Sequence, residues 1–184
     1  MIDAMPRPPN GVGEWVLDLD FDGVLHHEDC CWSRKRPFIK ARSLRPTPYS
    51  VFQHVGLLEE ILAPYPQVRI VLSTSWVRSY GCSGAAKRLT SESLRARVIG
   101  ATFHSGMDGH AFLALPRGLQ IWRDAERRKP ADWIAIDDDH QDWPTSALGN
   151  YVRTHAADGI SDPQVRQELE SKLAMMCSKT GIRL

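Results

Sequence analysis

The stretch WVLDLDFDGVL, Trp15 to Leu25, is a short apolar run that breaks into an Asp-x-Asp-Gly turn, so that Asp20 and Asp22 emerge together at the end of one predicted strand. Two unit charges about 4 Å apart repel by roughly 4 kcal/mol at an effective dielectric near 20, so such a pair needs a metal, a basic partner or a shared proton. Mg²⁺ is the natural candidate, a hard ion that takes oxygen ligands and keeps several waters free for exchange. Gly23 lets the backbone leave the strand sharply, because no Cβ forbids a positive φ. Strict alternation would put Asp18 on the same face as Asp20 and Asp22. Taken alone, the segment also reads as a polar turn after an edge strand. The order of elements in the rest of the chain decides against that.

From Trp15 onward, short apolar runs alternate with helical periodicity, the pattern of a parallel sheet wrapped by helices. Strands are expected at 15–20, 68–73 (VRIVLS), 98–103 (VIGATF), 132–137 (DWIAID) and 150–154. Val51, Val55, Leu58 and Leu62 predict a helix capped by Ser50 and ended by Pro64 and Pro66. Ala85, Ala86 and Leu89 predict a second helix, and Gly118 to Arg128 a third that stops before Pro130. Asp162 and Pro163 open a helix over about 163–178 with Val165, Leu169, Leu173 and Met176 on one face. Ligands in open parallel sheets bind beyond the carboxyl ends of the strands, and the loops there are polar: Ser73-Thr74-Ser75 after the second strand, Asp137-Asp138-Asp139 at the end of the fourth.

The Trp15–Leu25 segment resembles the first motif of the haloacid dehalogenase (HAD) superfamily, and Asp137-Asp138-Asp139 resembles its fourth. The resemblance implies a HAD-like Rossmannoid three-layer α/β sandwich with about five parallel strands in the order 5-4-1-2-3. It assigns Asp20 as nucleophile and Asp22 as general acid/base, and Asp22 points to phosphoryl transfer, since the dehalogenases lack it. Asp18 stands where the family has an apolar residue, and is read as an outer-sphere ligand or a partner for a nearby Arg. The hydroxyl motif falls on Thr74, with Ser73 a close alternative and Ser75 in support. Metal ligands would be Asp20, Asp22 and Asp138, with Asp137 orienting metal-bound water or pairing with a base, and Asp139 outside them. For the basic motif, Arg127, Arg128 and Lys129 directly precede the fourth strand; at about 3.3 Å per extended residue they would lie roughly 25 to 30 Å from its carboxyl end. Arg117, at the start of the preceding antiparallel helix, returns to the site end and is the expected residue. The implied activity is a Mg²⁺-dependent phosphatase working through an aspartyl-phosphate. The short cap, the STSW segment and the IDDD ending further resemble HAD domains associated with bacterial RNA-repair proteins.

Only about 25 residues separate Leu25 from the first predicted helix, a lid loop (about 26–49) rather than a cap domain, which usually needs at least about 50. An uncapped site suits a phosphate on a macromolecule. The loop carries Arg34, Lys35, Arg36, Lys40, Arg42 and Arg45 with Trp32, Phe38 and Tyr49 interleaved, the chemistry of a nucleic-acid strand and equally that of a solvated face. His26, His27, Cys30 and Cys31 have ligand chemistry for zinc, but vicinal pairs crowd a tetrahedral centre and no Cys-x-x-Cys partner follows. Trp76 and Trp122 read as packing.

At 184 residues, 42% hydrophobic and 24% charged, the chain supports one domain over 14–184 after a loose leader, residues 1–13. Net charge of +1 makes no global case for nucleic acid. Four cysteines are too few for a disulfide scaffold, and no signal sequence or membrane span is evident, so a cytoplasmic setting is expected with a phosphorylated substrate, nucleic acid among the candidates, and no inferable protein partner. The competing readings are a nucleotide phosphatase and a non-catalytic phosphate-binding module. A receiver domain and a metal nuclease fit the motif order less well.

Overall fold

The computed structural model describes residues 10–31, 37–40 and 47–178. Five parallel strands form the sheet: β1 (Trp15–Leu19), β4 (Val68–Leu72), β5 (Val98–Ala101), β6 (Asp132–Asp137) and β7 (Tyr151–Arg153). Their spatial order is β5-β4-β1-β6-β7, and read from the other edge this is the order expected from the sequence. The two short strands β2 (Cys30–Cys31) and β3 (Phe38–Ile39) make an antiparallel hairpin in the lid segment.

β1 occupies the centre, paired along its length with β4 (Trp15 to Val68, Leu19 to Leu72) and β6 (Trp15 to Asp132, Leu19 to Ile136). A central strand covered on both faces has no solvent side, which is why Val16, Leu17 and Leu19 form a nearly unbroken apolar run. Leu17 and Leu19 join the main core with Val55, Leu58 and Leu62 of helix α1 (Val55–Leu62) and Leu169 and Leu173 of α6 (Pro163–Ser178). Ala135 packs in a smaller cluster with Ile121 of α5 (Arg117–Arg128), where Trp143 and Tyr151 stack at 4.0 Å.

Differences from the sequence reading have local causes. The first helix begins at Val55, not Val51: Phe52 sits at φ 61°, outside right-handed helical space, and Ser50 does not cap. α2 (Trp76–Ala86) starts directly after the Ser-Thr-Ser run and is broken at Gly81 (φ 70°, ψ 166°). Two short helices escape the periodicity, α3 (Glu92–Arg97), capped by Ser91, and α4 (Gly109–Leu113), capped by Asp108. Residues 10–13 of the expected leader are tied to the domain: Gly13 N–H donates to the Lys129 carbonyl at 3.0 Å, and Arg128 donates to the carbonyl of Asn10. Among the described residues no helix is long and apolar enough to cross a membrane.

Candidate active site

The loops after β1, β4 and β6 are stitched together where the strands end. Ser73 N–H donates to the Leu19 carbonyl at 2.8 Å and Asp20 N–H to the Ile136 carbonyl at 3.2 Å. Phe21 turns inward, fully buried against Phe52 and Trp76, and Asp20 and Asp22 flank it. Gly23 holds the turn at φ 68°, and its bare Cα lets Asp138 approach; a Cβ there would lie 2.3 Å from Asp138 Oδ2.

Asp20 is buried, with Oδ1 accepting from Phe21 N–H at 2.7 Å and Oδ2 3.7 Å from Arg117 Nη2. Burial pushes its carboxyl up to about 6, with Asp22 adding to the rise against the pull of Arg117, the Phe21 amide and the Thr74 hydroxyl. Asp137 is wholly buried; Arg117 Nε lies 3.2 Å from its Oδ2, and Asp139 N–H donates to its Oδ1 at 3.0 Å. Burial, then the nearby Asp20, holds its carboxyl well above the usual range. Asp138, half-buried, is pushed up to about 7 by burial, Asp20 and Glu28. The acidic loop is fixed from behind: Tyr151 OH donates to the carbonyls of Asp137 (3.0 Å) and Asp139 (3.1 Å), and Trp143 Nε1 to that of Asp139 (2.8 Å). Neither aromatic stands out in the sequence.

Carboxylate oxygens of Asp20, Asp137 and Asp138 all lie within 4.8 Å of one another, an all-oxygen set suited to a hard divalent cation. Asp22, expected among the ligands, is not in this group. Its carboxylate is drawn to the other side: Trp76 Nε1 donates to both of its oxygens at 3.1 Å, Ser75 Oγ to Oδ2 at 3.3 Å, and His26 Nε2 lies 3.0 Å from Oδ1. His26 and Trp76 are fully buried. Trp76, read as packing alone, is therefore also a hydrogen-bond donor in the site; nothing in its sequence position marks that. His26 and Cys30 group with Asp22, whereas His27 turns away, its Nδ1 accepting from Asp29 N–H and its ring against Tyr49, so the vicinal His/Cys quartet is split. The Cys30 thiol is pushed up to about 12 by burial and by Asp22, so it is a neutral neighbour and not a thiolate.

Thr74 and Ser75 line a cleft of about 210 Å³ together with Arg78, Arg117 and Asp139. Ser73, the alternative to Thr74, is sealed beneath, and its hydroxyl has no partner among the described residues. Arg117 enters the site from the first turn of α5, after Pro116. Lys129 caps the far end of that helix at φ 53°, about 18 Å away at 1.5 Å per residue, and Arg127 and Arg128 both pair with Asp124. Asp18 points to α5: burial, and next Asp124, hold its carboxyl well up, with Arg128 pulling the other way. Arg34, Lys35 and Arg36 lie outside the described residues.

A parallel sheet in this order, with an Asp-x-Asp-Gly turn after the central strand, a hydroxyl loop beside it, an arginine and a second acidic loop, defines the HAD class. The model of the HAD domain in Swiss Army Knife RNA repair proteins matches residues 16–165, most of the chain, and the chain belongs to that family. At the family level it is a phosphatase-type HAD domain, a class that typically uses a divalent metal. Neither a curated protein nor a solved structure matches it significantly.

Proposed function

We propose that the chain is a Mg²⁺-dependent phosphomonoester hydrolase that forms an aspartyl-phosphate on Asp20, and that its substrate is a terminal phosphate on a nucleic acid. The observation that carries this reading is the separation of two neighbouring carboxylates into different surroundings. Asp20 faces Arg117 and the oxygens of Asp137 and Asp138, while Asp22 accepts from Trp76 and Ser75 and lies 3.0 Å from His26 Nε2. A cation beside Asp20 would favour its charged, nucleophilic form, which burial alone opposes, whereas Asp22 lies outside that oxygen set and is free to carry a proton.

In the first step an Asp20 carboxylate oxygen attacks phosphorus in line; the O–P bond to Asp20 forms as the ester O–P bond breaks, and Asp22 gives its proton to the leaving oxygen. In the second, Asp22 takes a proton from water, which attacks phosphorus, releases inorganic phosphate and restores the Asp20 carboxylate. Arg117 and the Thr74 hydroxyl face the phosphoryl oxygens and stabilise their charge. Asp20 and Asp138, with Asp137 beside them, would hold Mg²⁺, which when bound neutralises phosphoryl charge.

Two observations favour a macromolecular substrate. The cleft, at about 210 Å³, falls below the range of about 300–1,000 Å³ usual for pockets that enclose a small ligand, so it fits a phosphoryl group better than a whole nucleotide. The family is one of RNA repair proteins. The test is phosphate release from 3′- and 5′-phosphorylated oligonucleotides, mononucleotides, sugar phosphates and phosphopeptides with and without Mg²⁺. Turnover is expected on oligonucleotides, with loss of at least about 10³-fold in Asp20→Asn at unchanged fold. Full activity in that variant would refute the mechanism, and preference for mononucleotides would refute the substrate class.

A further inference from the structure

A second and larger cavity, about 950 Å³, opens between α2, the edge strand β5 and the carboxyl end of α5. Its shape follows from glycine at two places. Gly81 breaks α2 with φ 70°, and Gly100 leaves the edge strand without a side chain. The rim is basic around an apolar floor: Arg78, Arg127 and His104 are exposed, Arg128 is buried beneath them beside Val77, Ile99 and Phe103, and among the described residues no acid lines it. Arg127 and Arg128 share the single carboxylate of Asp124, so the far wall carries more positive than negative charge. Arg78 is exposed and makes no ion pair among the described residues. It also lines the active-site cleft, and so stands where the two cavities meet.

We infer that this groove is the binding track for the single-stranded nucleic acid whose terminal phosphate enters the cleft, with Arg78 on the backbone phosphate at the junction. This rests on the hydrolase reading above and adds where the chain of the substrate runs. A cationic rim with an apolar and aromatic floor is what an unpaired strand requires, since its phosphates pair with Arg and its bases take apolar faces. A phosphorylated metabolite would have no use for a groove of this size beyond the cleft. A peptide strand added to the edge of β5 is the rival occupant, but it would not select for a basic rim.

The experiment compares kcat/KM on phosphorylated oligonucleotides of one to six nucleotides, across salt concentrations, for the wild type, Arg78→Ala and Ser105→Glu. Ser105 is an exposed groove residue, and its replacement puts an anion on the track without disturbing the core. The wild type is expected to prefer a tetranucleotide over a mononucleotide by at least about tenfold. Both variants should cut that ratio about three- to tenfold, and Arg78→Ala should reduce the salt slope by about one. Anisotropy with a labelled unphosphorylated hexanucleotide runs alongside, so that the track is tested even if turnover fails. Phosphate release independent of length, with both variants leaving the ratio and hexanucleotide affinity unchanged, would overturn the groove and leave the hydrolase standing. No release from any oligonucleotide would instead refute the hydrolase reading, while hexanucleotide binding sensitive to both variants would still support the track. Competition by an extended peptide but not by the unphosphorylated hexamer would assign the groove to a protein strand and overturn it.

Discussion

Replacing Gly23 by alanine separates the metal requirement of this site from its stability. The new Cβ would stand 2.3 Å from Oδ2, 2.5 Å from Cγ and 2.8 Å from Cβ of Asp138, so the whole side chain has to move by about an ångström or more to restore ordinary contact. The backbone cost is small: holding a non-glycine residue at φ 68° costs roughly 1–2 kcal/mol, and the stiffer unfolded chain offsets about 0.4–1 of it. Moving Asp138 outward also takes it away from Asp20, whose charge helps to keep its carboxyl raised to about 7, so little further stability is lost. The net expectation is a loss of about 1 kcal/mol, or roughly 2–4 °C in Tm for a domain of this size. The effect on metal is larger. Changing even the groups that orient a metal ligand typically lowers affinity by about 10–100-fold, or about 1.4–2.7 kcal/mol, and displacing Asp138 itself should cost at least that. Mg²⁺ titrations of Tm and of phosphate release in the two proteins read both quantities. A folded Gly23→Ala variant with half-saturating Mg²⁺ within twofold of wild type would refute the role given to Asp138.

Other perturbations address the remaining parts. Arg117→Lys should lower kcat by at least about 10²-fold, because one ammonium cannot span Asp20 and Asp137 as the guanidinium does, whereas Lys129→Gly should keep wild-type kcat and stabilise by up to about 1 kcal/mol by relieving its φ of 53°; equal losses in both would put the basic residue elsewhere. Trp76→Phe keeps a ring but removes the donor to both Asp22 oxygens, and is expected to lower kcat about 10- to 100-fold with a displaced pH profile; an unchanged profile would limit Trp76 to packing. Metal-free stability should fall as pH rises from about 4 to 7. Asp20 and Asp138, raised from 3.8 to about 6 and about 7, hold protons in the folded chain that the unfolded chain has released in that window, so their ionisation disfavours folding above it. Mg²⁺ should therefore raise Tm more at pH 7.5 than at pH 5, and equal increments by scanning fluorimetry would contradict the cation site. Leu169→Ala, at a fully buried position of α6, should cost about 2–5 kcal/mol in urea titration while leaving the Mg²⁺ requirement alone.

Sheet order and strand positions were legible because β1 and its neighbours are buried on both faces and announce themselves as apolar runs ending in polar loops. Arg117 could be separated from Lys129 by direction alone, since an antiparallel helix returns its first residue to the carboxyl edge. The hand of the Asp22 side chain could not be read this way. Alternation puts Asp20 and Asp22 on one face only while the strand continues, and β1 ends at Leu19, so the turn is free to send the two carboxylates to different partners. Of those partners, His26 meets Asp22 within the local turn four residues on, while Trp76, fifty-four residues on, meets it only through tertiary packing. α3 and α4 are not legible in the periodicity because helices of six and five residues are too short to show one; their caps, Ser91 and Asp108, are the available signal. The groove beside β5 had no sequence signature at all, since its arginines come from two helices and its depth from two glycines.

Charge balance weighs on whether the site is a hydrolase or a passive phosphate holder. A phosphomonoester is close to a dianion at neutral pH, and a site evolved only to retain one would present a surplus of donors and cations. Here Asp20, Asp22, Asp137, Asp138 and Asp139 crowd the mouths of two loops, and among the described residues Arg117 is the cation that reaches Asp20 and Asp137. Burial works against the Arg117 charge, yet Asp20, Asp137, Asp139 and Asp138 together outweigh it and hold its pKa above the ordinary value. Its positive charge is thus already committed to carboxylates before any phosphate arrives. A divalent ion held by Asp20, Asp137 and Asp138 would offset two of these negative charges where the phosphate enters, and Asp20 would then be both a ligand and the nucleophile. A phosphate-holding module would therefore bind inorganic phosphate without Mg²⁺, while the arrangement of acids here calls for binding that appears only when Mg²⁺ is added. Calorimetry of inorganic phosphate binding to the wild type with and without Mg²⁺ distinguishes the two, and tight Mg²⁺-independent binding would decide for the passive module.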